Sequence, residues 1–127
     1  MTIRFVGTSR APAAIGPYSQ AVVSGGLVYC SGQIPLDAAS GDLVSGDIAE
    51  ETRVVLENLR AVLEEAGSSP QLVLKTTVYL RSMADFAEMN RAYAAFFEEH
   101  RPARAAVEVS GLPKGVRIEI DAVAALK

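Results

Sequence analysis

In RPARAAVEVSGLPKGVRIEIDAVA (101–124), apolar and polar residues alternate in two short runs on either side of a loop-like link. Such alternation is typical of strands that bury one face, because successive side chains point to opposite sides. The link 110–115 contains two glycines and a proline, residues that favour a turn. We therefore predict two strands, 101–109 and 116–125, joined as a hairpin.

The predicted hairpin would gather charged side chains on the face opposite its apolar side. Its register pairs Val109 with Val116. Arg104 then lies opposite Asp121 and one diagonal step from Glu119, within reach of long side chains. An anion receptor beside a carboxylate base is a usable small-molecule site, but a salt bridge between Arg104 and Asp121 fits the same spacing. The pattern alone leaves both interpretations open.

Four further strands and two helices are predicted upstream of this hairpin. Strand patterns cover residues 3–6, 21–23, 27–31 and 73–80. The resulting order, β-β-β-α-β-α-β-β, is an α+β pattern with about six strands. Two helices can cover only one face of such a sheet, so we expect the other face to pack in an oligomer. That face is predicted to carry Lys75, Thr77, Tyr79, Arg104, Glu119 and Asp121.

The helices are marked by their terminal residues. Asp47 and Asp85 are each followed three positions later by a glutamate, as in a capping box, and Gly67 ends the first helix. Asn90 interrupts the apolar stripe of the second helix. Because a buried asparagine must be hydrogen-bonded, Asn90 is expected either to tie down a loop or to line a pocket.

Composition limits the classes of function. The 127 residues fit one domain, and 50% of them are hydrophobic, which hints at a surface covered by another subunit. The net charge of −3 argues against nucleic acid as a partner, since backbone phosphates require clustered lysine and arginine. The chain has no apolar run of ~18 residues and no visible secretory signal, so we expect a cytoplasmic protein without membrane contact.

The single cysteine and the single histidine exclude several kinds of site. Cys30 has no intrachain partner for a disulfide, and His100 alone cannot form a histidine metal cluster. His100 ends a helix, where an imidazolium complements the dipole, and Cys30 is expected to be a small buried hydrophobe. The motifs CxxC, GxxxxGK[ST] and GxGxxG are absent, so no metal or cofactor is predicted.

Four segments taken together resemble the RidA/YjgF family of enamine/imine deaminases, whose older names are endoribonuclease L-PSP and translation inhibitor. They are AIGPYSQAV (14–22), CSGQIPLD (30–37), VLKTTVYL (73–80) and the segment 101–124. The resemblance covers essentially the whole chain, 1–127, as one RidA-like domain. It implies a chorismate-mutase-like α+β fold, with a mixed sheet of about six strands and two helices packed on one face. It also implies a homotrimer whose sheets form a central barrel, with sites at the subunit interfaces.

The resemblance also carries site residues over to this chain. They are the Tyr of GPY, the Ser of SGQIP, the helical Asn, the Arg of PAR and the Glu of IEI: Tyr18, Ser31, Asn90, Arg104 and Glu119. The family often has cysteine where this chain has Ala106, whose backbone is expected to contact substrate. The segment 98–104 is shorter than in some relatives and has no aromatic residue before Pro102.

The implied activity is hydrolytic deamination of 2-enamino or 2-imino acids, such as 2-aminoacrylate, to 2-keto acids and ammonia. Arg104 would bind the substrate carboxylate and Glu119 would deprotonate the attacking water, with no cofactor or metal. One alternative is a non-catalytic trimer that binds keto acids as a regulator. The other is the endoribonuclease or translation inhibitor of the older family name, for which an acidic chain without a catalytic histidine is poorly suited.

Overall fold

Six strands form one mixed sheet in the computed structural model, which describes residues 2–127. They are β1 (Arg4–Val6), β2 (Ala21–Ser24), β3 (Leu27–Gln33), β4 (Val73–Leu80), β5 (Ala103–Glu108) and β6 (Ile118–Ala125). Their spatial order is β1-β2-β3-β6-β4-β5, and only β4 and β5 are parallel. This mixed sheet with two helices confirms the predicted α+β class.

Both helices lie on one face of the sheet, and the first has the termini that its sequence predicts. The first, α1 (Ile48–Ala66), begins at Asp47, whose side chain accepts the Glu50 N–H at 2.9 Å. It ends at Gly67, which has the left-handed φ of 93° that glycine adopts without strain. The second, α2 (Phe86–Phe97), differs from expectation at its start. Asp85 makes no capping bond, because a 3₁₀ turn precedes the helix.

The predicted hairpin between the last two strands is wrong, because β4 lies between them. Arg104 in β5 pairs with Thr76 of β4, while Glu119 in β6 pairs with Tyr79 of β4. The link between β5 and β6 is therefore a crossover past β4 and includes a 3₁₀ turn at Pro113–Gly115. Alternation fixes which residues of a strand share a face, but it carries no information about which strand is the neighbour.

The predicted burial of β5 is also reversed. Arg104 faces α2, whereas Ala105 and Val107 point to the open face of the sheet, where Val107 is 42% exposed. Glu119 lies on that open face, between the buried Ile118 and Ile120. Arg104 and Glu119 of this chain therefore lie on opposite faces of the sheet, and the predicted contact between them does not form.

The hydrophobic core lies between the sheet and the helices. Val28, Val78 and Ile120 from the three central strands are fully buried there, together with Leu56 of α1 and Met89 of α2. The opposite face is open, and Phe5 and Tyr29 on it are 72% and 48% exposed. Among residues 2–127, no helix has the length and apolarity needed to cross a membrane.

Candidate functional site

A groove of about 350 Å³ brings together three of the predicted site residues, Tyr18, Ser31 and Glu119. It lies where the segment before β2 approaches β3 and β6. Its other walls are mainly apolar and include Ile15, Ile34 and Pro113. One carboxylate among apolar walls is an arrangement that binds a small molecule and aims one reactive group at it.

The carboxylate of Glu119 fits into this groove because of an irregularity in β3. The pairing of β3 with β6 shifts between Cys30 and Gln33, and Gly32 lies within that shift. A Cβ atom at Gly32 would lie 2.8 Å from Cδ of Glu119, closer than Cβ contacts normally allow. The missing side chain of Gly32 is therefore what gives the Glu119 carboxyl its position.

The surroundings of Glu119 favour its protonated form. Partial burial raises the pKa of Glu119, and the negative charge of Asp121, two residues along the same strand, raises this pKa further. Asp121 itself accepts a hydrogen bond from the Tyr79 hydroxyl at 2.9 Å. A carboxylate whose pKa is raised takes up a proton more readily near neutral pH, as a general base must.

Tyr18 and Ser31 are placed by bonds to the main chain. The Tyr18 hydroxyl accepts the Ile15 N–H at 3.3 Å, and the Ser31 hydroxyl donates to the Ser19 carbonyl at 2.6 Å. The Ser31 N–H also donates to the Gln20 carbonyl at 3.0 Å. Both side chains therefore belong to one ordered wall of the groove.

Gln20 supports this wall and was missed by the sequence analysis. Its side chain is buried, and its Oε1 accepts the Thr8 N–H at 2.7 Å. Its Nε2 donates to the carbonyl of Pro12 at 2.8 Å and to that of Thr8 at 3.1 Å. One amide thus fixes the segment 8–12, which precedes Tyr18. A glutamine directly before an apolar strand was the only available signal.

A second groove, of about 450 Å³, contains the other two predicted polar residues, Asn90 and Arg104. Arg104 Nη1 donates to Asn90 Oδ1 at 2.7 Å. The guanidinium carbon lies 4.9 Å from the ring centre of Tyr93 and 5.6 Å from that of Phe86. Asn90 and the two rings, all on α2, hold the cation by a hydrogen bond and cation–π contacts. Asn90 therefore lines a pocket, one of its two predicted roles.

Ala106 lies in neither groove, and its side chain packs against the core. It belongs to β5, which is an edge strand. Along the outer side of an edge strand, backbone N–H and C=O groups have no neighbouring strand. The predicted backbone contact between Ala106 and substrate remains an expectation that this geometry permits.

Cys30 is buried, as predicted, whereas the predicted interaction of His100 with the helix dipole stays a prediction. Burial, with a smaller effect of Asp121, raises the pKa of the Cys30 thiol to about 12, which favours the protonated thiol at neutral pH. The His100 ring bonds to the Val73 carbonyl at 2.7 Å and packs against Phe97. No cluster of three or more histidine, cysteine or acidic side chains within residues 2–127 is arranged to hold a metal ion.

Comparison with known proteins identifies the family. The family model described as Endoribonuclease L-PSP matches residues 8–126. A RutC family protein of Pyrococcus horikoshii is 56% identical over 117 residues, which cover 92% of this chain and 93% of that protein. The human protein named 2-iminobutanoate/2-iminopropanoate deaminase is 50% identical over 121 residues, which cover 95% of this chain and 88% of that one.

Solved structures agree with this assignment. The YjgF gene product of Escherichia coli superposes with a TM-score of 0.92 at 44% identity, over 98% of this chain and 99% of that one. Escherichia coli TdcF with bound serine gives a TM-score of 0.93 at 41% identity, also over 98% and 99%. The chain belongs to the endoribonuclease L-PSP family, which is the RidA/YjgF family that its motifs predicted.

Proposed function

We propose that this protein hydrolyses 2-imino acids, and their 2-enamino tautomers, to 2-keto acids and ammonia. The observation that carries the proposal is the guanidinium of Arg104, held in an open groove by Asn90 and two aromatic rings. Of its five N–H donors, the hydrogen bond to Asn90 uses one, so a planar carboxylate can still bind in bidentate fashion. The human relative named as an imine deaminase supports the same choice of substrate.

The complete site is proposed to form between two subunits of a homotrimer. Arg104 and Glu119 lie on opposite faces of one sheet, so one substrate molecule cannot contact both within a single subunit. The apolar side chains of Phe5, Tyr29 and Val107 are exposed on the open face of the sheet. This exposure supports the proposal that another subunit covers that face. We expect the groove with Glu119 of one subunit to meet the groove with Arg104 of its neighbour.

The proposed reaction needs one anion receptor and one base. Arg104 binds the substrate carboxylate, which places the imine carbon beside Glu119. Glu119 removes a proton from water as the water oxygen bonds to that carbon, and the imine nitrogen takes up a proton from solvent to give a carbinolamine. The carbon–nitrogen bond then breaks as Glu119 returns its proton to the nitrogen and the hydroxyl group releases its proton to solvent. The products are ammonia and the 2-keto acid. The raised pKa of Glu119 supports this exchange of protons.

The test is deamination by an Arg104→Ala variant. The 2-imino acid is generated in situ from its parent amino acid, and ammonia or keto acid is followed with time. We expect kcat/KM to fall about 100-fold or more, because the substrate loses its anchor. Arg91→Ala is the control, since Arg91 is an exposed arginine of α2 that pairs with Glu88 and lies outside the groove.

Two results would contradict the proposal. Wild-type rates in Arg104→Ala would remove the carboxylate-anchor role. Saturable binding of a keto acid by the wild-type protein, without any acceleration of imine hydrolysis, would instead favour the regulatory alternative. Thermal unfolding and light scattering on each variant separate a loss of chemistry from a loss of fold or assembly.

A further inference from the structure

A second arginine, Arg101, lines the same groove as Arg104. It follows the C-terminus of α2, and its Nη1 donates to the main-chain carbonyls of Glu98 and His100, the latter at 2.9 Å. Carbonyl oxygens satisfy these N–H groups but leave the full positive charge in place. Within the described part of the chain, neither Arg101 nor Arg104 takes part in an ion pair.

The rest of the groove contains nothing that would neutralise two cations. Its other lining residues are Asn90, Tyr93, Ala94 and Pro102, and none of them is acidic. The C-terminus of α2 contributes a partial negative charge of about half a unit, which offsets only part of the total. A ligand with one carboxylate would therefore leave about half a positive charge unmatched among the residues that this chain contributes to the groove.

The spacing of the two arginines suits a short ligand with a carboxylate at each end. Arg101 and Arg104 are three residues apart, a separation of at most about 10 Å of extended chain, and Pro102 between them restricts the backbone. A groove of about 450 Å³ holds a small organic ligand. Each of the two guanidinium groups can then bind the carboxylate at one end of the ligand.

We propose that Arg101 gives this site a preference for dicarboxylic 2-imino acids of about four or five carbons, with Arg104 on the C1 carboxylate and Arg101 on the distal one. The inference rests on the proposed function of Arg104 as the anchor for C1. It assigns Arg101 a role in specificity, because the reacting carbon and its water lie on the side of Glu119.

The test compares two keto acids of equal length by calorimetric titration. 2-Oxoglutarate and 2-oxopentanoate each have five carbons, and only the former has a distal carboxylate. We expect the wild-type protein to bind 2-oxoglutarate roughly 10-fold tighter or more, as one added charge-assisted contact predicts. This preference should shrink as salt is raised.

Arg101→Gln should abolish the preference, because it should lower the affinity for 2-oxoglutarate far more than the affinity for 2-oxopentanoate. Arg91→Gln is the control, because it removes an exposed arginine of α2 that lies outside the groove, and it should retain the preference. The same three proteins are then assayed for hydrolysis of imines generated from glutamate and from norvaline. Thermal unfolding shows whether loss of the two carbonyl contacts of Arg101 has altered the fold.

The outcomes separate the two proposals. Equal affinities in the wild-type protein, or a preference that survives in Arg101→Gln, overturn the role of Arg101 and leave the role of Arg104 standing. Failure of the wild-type protein to bind either keto acid overturns both roles. A change in unfolding temperature without a change in preference reduces Arg101 to a cap of α2.

Discussion

Gly32 and Glu119 compete for the same small volume, and the absence of a side chain at Gly32 decides where the carboxylate lies. In Gly32→Ala the new Cβ would meet the Glu119 side chain, so the carboxylate must move. Because a displacement of about 1 Å in a reacting group can lower a rate ~100-fold, we expect a fall of that order in kcat. The imine assay measures it.

Gly7→Ala is the matched control for this substitution, because a Cβ at Gly7 meets no atom within 4 Å. The Gly7→Ala variant should keep wild-type turnover. If Gly32→Ala also keeps it, the carboxylate of Glu119 does not need its present position, and its role as base is contradicted.

The pH dependence of turnover should report the environment of Glu119. Only the ionised carboxylate can accept a proton from water, so activity should fall as pH decreases through the raised pKa of Glu119. Asp121→Asn removes one cause of the raised pKa and should move this acid limb to lower pH. Asparagine can still accept the Tyr79 hydroxyl, which preserves the local contact. The shift is measured in plots of kcat/KM against pH. If the acid limb does not move in Asp121→Asn, a group other than Glu119 causes it.

The raised pKa of Glu119 also makes the free energy of unfolding depend on pH. The pKa of Glu119 is higher in the folded protein than in the unfolded chain, so folding favours the protonated carboxyl. Its contribution to the free energy of unfolding is present below the unfolded pKa and is lost as pH rises through the folded one. The surroundings that raise the pKa of Glu119 thus work against stability at neutral pH.

The segment that leads into β2 depends on a single buried amide. Gln20→Ala would remove the hydrogen bond accepted from the Thr8 N–H and the two donated to the carbonyls of Thr8 and Pro12. These main-chain groups beside the groove would then be unsatisfied. We expect the free energy of unfolding to fall by about 1–3 kcal/mol. Denaturant titration measures the change, and the exposed Gln71 supplies the control variant Gln71→Ala. An unchanged midpoint would show that segment 8–12 is held by other contacts.

Local signals predicted the elements well and their neighbours poorly. The span of β4, 73–80, and the termini of α1 follow from β-branched content, the capping aspartate and Gly67. The partners of β5 and β6 do not follow, because pairing is decided by long-range packing that alternation does not encode. Arg104 was assigned to the wrong face because a charged side chain was expected to point away from the helices. The aromatic rings of α2 instead stabilise a guanidinium that faces them.

Two residues of the candidate site were identified from the resemblance to the RidA/YjgF family and not from the periodicity of the sequence. Tyr18 and Ser31 have no distinctive spacing, yet both line the groove with Glu119. Arg101 and Gln20 drew no attention in the sequence, because their roles depend on carbonyl groups and grooves that exist only in three dimensions. Single side chains can be inferred from motifs, whereas the contacts that orient them require coordinates.

The proposed trimer allows a direct test of whether sites are shared between subunits. Arg104→Ala and Glu119→Gln are each expected to be nearly inactive alone. When the two chains are co-expressed and assemble at random, about a quarter of the interfaces should combine an intact Arg104 with an intact Glu119. We therefore expect turnover in the mixture to recover to about a quarter of wild type.

A site contained in one subunit gives the opposite result, since every chain in the mixture carries one defect. Mixing the separately purified, assembled variants without exchange is the control and should restore nothing. Light scattering should give a particle of about three times the chain mass of 13.4 kDa. A monomeric particle would contradict the shared site.

The position of β6 has a consequence for how the chain reaches its native state. Although β6 is the last strand along the chain, it lies in the interior of the sheet, between β3 and β4. On the ribosome, β3 must therefore wait for a partner separated from it by both helices, and such distant pairings slow folding. Until then, β3 and β4 each have an edge open to mispairing. Because β6 also carries Glu119, the proposed base reaches its position only when β6 pairs and the sheet is complete.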